Sequence, residues 1–265
     1  MRGSTVVAGG GPALLLVAAL FPGMRPLISV VLFAGWVVLL YRGRPEAVSW
    51  AATLPVGVSL AWPWLLGVDR PLGASGCVDP FSGIVLRRVL IAGAGLGLAT
   101  LVAIVHASSS EELGLRRPSS AEGALAFGCL LVLGLGGTFI GPIVAEPFFG
   151  RLEFATPVAV IVPAVLFGIA NGVMEEVAYR GILQAFLGRL IPITAAIAFQ
   201  GVVFGIAHAG PEVVALLPVH VALLSAVGVI AGLARWKLGS LWIPIGIHVG
   251  ADIALYVGLA CRIAA

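Results

Sequence analysis

Residues 155–188 read ATPVAVIVPAVLFGIANGVMEEVAYRGILQAFLG. The run is almost wholly apolar, yet it carries Glu175, Glu176 and Arg180. About 20 apolar residues cross a bilayer as one helix. This run is longer, so it is expected to contain a kink or a segment lying at the interface. A charged side chain at the bilayer centre costs about 2.5–3.5 kcal/mol on insertion scales. Charges inside such a run are therefore first read as functional.

Eight more runs of spanning character surround this one, at 5–22, 27–41, 47–66, 87–106, 121–145, 193–208, 213–234 and 241–260. The expected fold is all-α, a polytopic transmembrane bundle of about eight or nine spanning helices. Short connections carry the helix breakers Pro22-Gly23, Arg42-Gly43-Arg44-Pro45 and Gly210-Pro211. Two longer polar connections fall at 67–83, with Asp69, Arg70, Cys77 and Asp79, and at 107–120, with Arg116 and Arg117. The start, Met-Arg-Gly-Ser, leads into an apolar run with no small-residue cleavage signal, and is read as a first spanning helix. No internal repeat and no water-exposed domain is visible.

Composition agrees. Sixty per cent of the 265 residues are apolar and 10% are charged, against about 25% charged in a water-soluble domain. Mean hydropathy is +1.12. Lys237 is the one lysine among 15 basic residues, and the arginines are dispersed without interleaved aromatics. That excludes nucleic-acid binding and fits topology signals. With the N-terminus inside, the inner side receives Arg2, Arg42, Arg44, Arg116, Arg117, Arg189, Arg235 and Lys237. The outer side receives Arg25, Arg70, Arg87, Arg88, Arg151 and Arg262, and the C-terminus lies outside. Cys77, Cys129 and Cys261 form no disulfide framework. Gly9-Gly10-Gly11 follows no strand and is no nucleotide loop. The 36 glycines suit close helix packing in lipid.

Three polar groups stand out in the last hundred residues. Glu176 and Arg180, four apart, share a helical face and can pair, while Glu175 lies about 100° round the helix. Neutralising one carboxylate would leave the other as a candidate general base. A structural ion pair at a helix end is the plainer alternative. His208 ends the run Phe204-Gly-Ile-Ala-His208, where a single histidine is more often an interfacial or packing residue than a catalyst. His248 and Asp252 lie four apart on one face of the last helix, spaced for a site or for a helix-to-helix staple. Each is costly to leave in lipid, so Glu175, His208 and His248 are expected to share a water-accessible cavity. His106 and His220 sit near helix ends and read as interfacial. There is no HExxH, no GxSxG and no set of cysteine ligands.

In this order the three pieces resemble the CPBP family of intramembrane endopeptidases, the Abi or CAAX-protease group. The family pattern is EExxxR, FxxxH, then HxxxN or HxxxD. Here it reads EEVAYR at 175–180, FGIAH at 204–208 and HVGAD at 248–252, with RWKLGSLWIP before the last. The resemblance covers about residues 110–255. It divides the chain into N-terminal transmembrane helices at 1–109 without a motif and a protease core at 110–265. It implies a glutamic-type peptidase, with Glu175 and His208 activating a water, His248 and residue 252 serving the oxyanion, and Glu176 and Arg180 in support. Asp252 stands where the CAAX-processing enzymes have Asn. An amide donates a hydrogen bond at any pH and Asp only when protonated, so Asp252 can instead orient His248 as the acid does in a triad.

The resemblance implies no cofactor. The competing chemistry is zinc held by His208, His248 and a carboxylate. The expected partners are a membrane-embedded protein or peptide substrate and the lipid bilayer, with no nucleic acid. The expected location is a membrane as a multi-pass protein, in a bacterial cell the inner one. Rival readings are a non-catalytic scaffold or immunity protein of the same fold, and a transporter with a glutamate proton relay. The last predicts inverted repeats.

Overall fold

A computed structural model describes residues 2–65, 83–140, 157–209 and 217–256. The Gly210-Pro211 connection, nearly all of the 67–83 loop, Arg151, Arg262, Cys77 and Cys261 lie outside the described residues. Among the described residues there are helices and no strands. The helices are α1 (Arg2–Leu20), α2 (Arg25–Tyr41), α3 (Ala47–Leu65), α4 (Gly83–Val105), α5 (Ser120–Leu131), α6 (Pro157–Glu176), α7 (Gln184–Gly188), α8 (Ile193–Ala207), α9 (Leu217–Leu238) and α10 (Trp242–Leu255). They fall on the nine apolar runs of the sequence, α6 and α7 sharing the longest.

Among the described residues, five helical stretches are long and apolar enough to cross a membrane: Pro22–Tyr41, Val85–Val105, Ser120–Ile140, Val160–Gly188 and Pro218–Leu238. Four apolar helices are shorter. The surface carries the pattern a bilayer selects. Val30, Ile104, Val132 and Phe139 are among the exposed side chains, while Arg180, Gln184 and Gln200 are fully buried. Polar groups turned inward, with apolar ones left outside, suit a lipid solvent.

The long run, where a kink or an interfacial segment was expected, holds a π-helical stretch, Val177–Leu183, which begins directly after Glu176 and joins α6 to α7. A second, Val132–Gly136, extends α5. α5 itself starts on a capping box, with Ser119 accepting from the Glu122 amide and Glu122 accepting from the Ser119 amide.

The chain divides into two compact units, with boundaries inside α4 and between Glu176 and Val177. The first holds residues 1–66, 94–116 and 177–240. In it, α8 meets α9 glycine against glycine. A methyl on Gly201 would stand 2.8 Å from the Val229 amide nitrogen, and one on Gly228 2.8 Å from Gly201 Cα. The two glycine pairs Gly201/Gly205 and Gly228/Gly232 are each spaced by four, the small-xxx-small arrangement of membrane helix pairs. Buried amides complete the contact: Gln200 Nε2 donates to Gly228 O at 2.7 Å and Gln184 Nε2 to Gly232 O at 3.1 Å. Gly10 and Gly11 lie against Trp50 of α3, whose indole donates to Val7 O at 2.9 Å, so that glycine run is a packing surface. At one end, Arg189 bonds Glu112 at 2.6 Å, Arg235 donates to Glu112 O and Arg116 to Leu238 O. Three of the arginines assigned above to the inner side thus gather together.

The second unit holds residues 67–93, 117–176 and 241–265. Its centre is α10, which packs against both α5 and α6. A methyl on Gly172 of α6 would meet the Val249 amide nitrogen at 2.9 Å, and one on Gly168 the Val249 carbonyl at 2.9 Å. A methyl on Gly250 of α10 would meet Leu130 O of α5 at 2.8 Å. Gly172→Leu and Gly201→Leu should therefore each destabilise the folded protein in detergent by about 1–3 kcal/mol. Gly97→Leu, at a position with open space around it, should stay within about 0.5 kcal/mol of the parent. Thermal unfolding followed by size-exclusion fluorescence checks all three.

Candidate active site

The approach of α6 to α10 places their polar residues side by side. His248 and Asp252 occupy one face of α10, and Asn171, Glu175 and Glu176 lie on α6. His248 is the hub. Its Nδ1 is 2.8 Å from Glu176 Oε1, a distance at which the ring nitrogen donates its proton to the carboxylate. Its Nε2 is 3.6 Å from Glu175 Oε2 and 3.7 Å from Asp252 Oδ2. Glu176 therefore fixes the ring, and the opposite edge faces two more carboxylates. All three acids are buried: Glu175 is 8%, Glu176 2% and Asp252 4% exposed.

Spacing within one helix suggested Arg180 as the partner of Glu176. The partner that the structure adds is His248, 72 residues away in the chain. Asp252 was expected either to serve an oxyanion or to orient His248. Ring orientation through Nδ1 belongs to Glu176, and Asp252 stands at the Nε2 edge.

Two residues of this cluster had no place in the reading of the sequence. Asn171 Nδ2 donates to Asp252 Oδ2 at 2.9 Å, and Arg88 Nη1 donates to Asn171 Oδ1 at 2.8 Å. The Arg88 guanidinium also lies 5.2 Å from the centre of the Phe167 ring, four residues before Asn171. Arg88, whose place before an apolar run marks it only as a topology charge, enters the site through α4. The available signal was Asn171 itself, four residues ahead of Glu175 and so on the same helical face.

Arg180 and His208 belong to the other unit. There Arg180 is fully buried, its guanidinium 4.4 Å from the centre of the Phe204 ring and 5.8 Å from that of Tyr179. The His208 ring is 4.4 Å from Phe204. His208 is the first residue past α8, and its Nδ1 is 2.7 Å from Phe204 O. A carbonyl only accepts, so Nδ1 carries the hydrogen and Nε2 is the basic nitrogen of the neutral ring. His106 accepts from the Trp36 indole at 3.2 Å and packs edge-on to Phe186, a packing role at the end of α4.

Among the described residues, no group of three or more His, Cys, Asp or Glu side chains is arranged to hold a metal ion. The cluster offers a base next to an imidazole that can donate: Glu175 can take a proton, and His248 can stabilise negative charge nearby.

Residues 156–254 match the family described as Type II CAAX prenyl endopeptidase Rce1-like. No curated protein and no solved structure matches the chain. The matched stretch runs through α6, the π-helical turn, α8, α9 and all but the last residue of α10, and so includes Glu175, Glu176, Asp252, His208 and His248. Residues 156–254 thus match the Rce1-like domain of the CPBP family, the family of CAAX-type membrane proteases.

Proposed function

We propose that this protein is an intramembrane endopeptidase that hydrolyses a peptide bond in or beside the membrane with a Glu175-activated water. The supporting observation is the half-buried imidazole of His248, tied by Nδ1 to Glu176 and facing Glu175 across Nε2. The substrate in this reading is a membrane-associated protein or its C-terminal tail.

The chemistry follows from those positions. Glu175 takes a proton from water as its oxygen bonds to the scissile carbonyl carbon. Negative charge moves to the carbonyl oxygen, where the His248 Nε2–H donates to it. Collapse of this intermediate breaks the C–N bond. The proton held by Glu175 passes to the departing amine, leaving an acid and an amine. The family pattern gives His208 a share in activating the water, and the Nδ1–H···O bond to Phe204 leaves its Nε2 with the basicity that role needs. The family pattern places Arg180 in support, and within its own unit it fills space against Phe204 and Tyr179. The division at residue 110 becomes, in this reading, N-terminal helices that complete a C-terminal protease core.

Glu175→Gln should abolish cleavage of tail peptides by purified protein in detergent, a loss of at least about 100-fold, with folded yield retained. Arg180→Ala should instead lose folded protein, about 2–5 kcal/mol, because it empties a fully buried site. Measuring kcat beside folded yield separates the two, and the reverse pattern would exchange their roles. His208→Ala should lower kcat by about 100-fold or more.

The reaction as written needs no metal. A chelator titration of the active protein, with metal analysis, is expected to leave cleavage unchanged. Stoichiometric zinc whose removal stops cleavage and whose return restores it would replace the glutamate mechanism, with three ligands needed about 2.0–2.2 Å from the ion.

A further inference from the structure

The Arg88–Asn171–Asp252 chain has an orientation that its atoms dictate. Which end of an Asn side chain is oxygen is fixed by its hydrogen bonds. Arginine only donates, so the Asn171 atom 2.8 Å from Arg88 Nη1 is the oxygen Oδ1. The amide nitrogen then faces Asp252, at 2.9 Å from Oδ2. That same oxygen stands 3.7 Å from His248 Nε2. Oδ2 is thereby an acceptor, held between an amide donor and the imidazole edge.

We propose that Asn171 and Arg88 are positioning residues for the site, which hold Asp252 as a hydrogen-bond acceptor aimed at His248. The proposal deepens the proteolytic reading and rests on it for its effect on turnover. Both residues are built in for this task. Asn171 is 5% exposed, and Arg88 is held over Phe167 as well as against Asn171. A guanidinium on an apolar helix is costly in lipid unless it is paired, and here its cation is delivered through an amide to a buried acid.

Amide and carboxylate stand one hydrogen bond apart on α6 and α10, so their exchange should preserve the link. With Asn171→Asp and Asp252→Asn combined, Arg88 would meet a carboxylate and residue 252 would donate the amide.

The test compares the full-length parent, Arg88→Met, Asn171→Leu and the Asn171→Asp/Asp252→Asn exchange in detergent. Three quantities are read: folded yield, kcat and KM for a tail peptide, and the rate at which diethyl pyrocarbonate modifies His248, followed by mass spectrometry. That reagent needs a nitrogen lone pair, which His248 withholds while its Nε2–H is directed at a fixed acceptor. Each single variant should lower kcat per folded molecule by about 10–100-fold at unchanged KM, as small misplacements do. Each should also speed His248 modification at least about threefold. The exchange keeps the 171–252 link but turns an amide N–H, in place of an acceptor, toward His248 Nε2, so it should be no better than Asn171→Leu. Single variants that match the parent in kcat and modification rate overturn the proposal, as do variants that lose folded yield alone. An exchange that restores both quantities to the parent's values also overturns it. A parent that cleaves nothing, but whose His248 reactivity responds as stated, removes the protease reading and leaves this arrangement standing.

Discussion

Val249 of α10 and Gly172 of α6 touch backbone to side-chain-free backbone, and the site depends on that contact. With no Cβ at Gly168 or Gly172, α6 can bring its axis close to α10. Only then do short acids on one helix reach an imidazole on the other. On the opposite side, Gly246 and Gly250 let α5 come equally near. The described residues of α10 are Trp242–Leu255. Its position comes from neighbours that grip its backbone. A rigid frame of this kind gives catalytic groups reproducible distances, which side chains on loops rarely achieve.

Given that frame, charge decides the rest. Glu175, Glu176 and Asp252 surround one imidazole in a place with little water. Carboxylates in such surroundings persist when hydrogen-bonded or paired. Glu176 uses His248 Nδ1, and Asp252 uses the Asn171 amide. Arg88 stands one hydrogen bond further out and brings a positive charge toward a strongly acidic group. The result is an ordered row of donors and acceptors. A cluster without that order would have to neutralise its acids by protonation.

The fold was legible because lipid imposes a simple rule on composition: long apolar runs separated by breakers. All nine runs found that way carry helices. The longest run was legible as too long for one span, but the π-helical stretch inside it was not, since a wide turn leaves no periodic mark in seven residues. Glu175, Glu176, His248 and Asp252 were visible as charges in the wrong solvent, and they do stand together. What the sequence hid is pairing at long range. Spacing relates residues within one helix, so it offered Arg180 to Glu176 and could not offer His248. Asn171 escaped notice because a neutral amide in an apolar helix looks unremarkable. Arg88 escaped because an arginine ahead of an apolar run already has an explanation. It also lies outside residues 156–254, so likeness to the family does not mark the edge of the hydrogen-bonded cluster.

The wide stretch at Val177–Leu183 carries a consequence for helical phase. A π turn closes from residue i to i+5, against i to i+4 in an α-helix. Across this stretch the helix therefore falls behind by about one residue, a rotation of roughly 100°. Everything from Gln184 onward is dialled to a direction that an unbroken α-helix of the same sequence would not give it. Gln184, whose amide reaches the carbonyl of Gly232, depends on that lag. The number of residues between Glu176 and Gln184 is thus a fixed quantity. Side chains there can vary in size, but losing one position would reset the clock of the helix and turn its second half away from its partners.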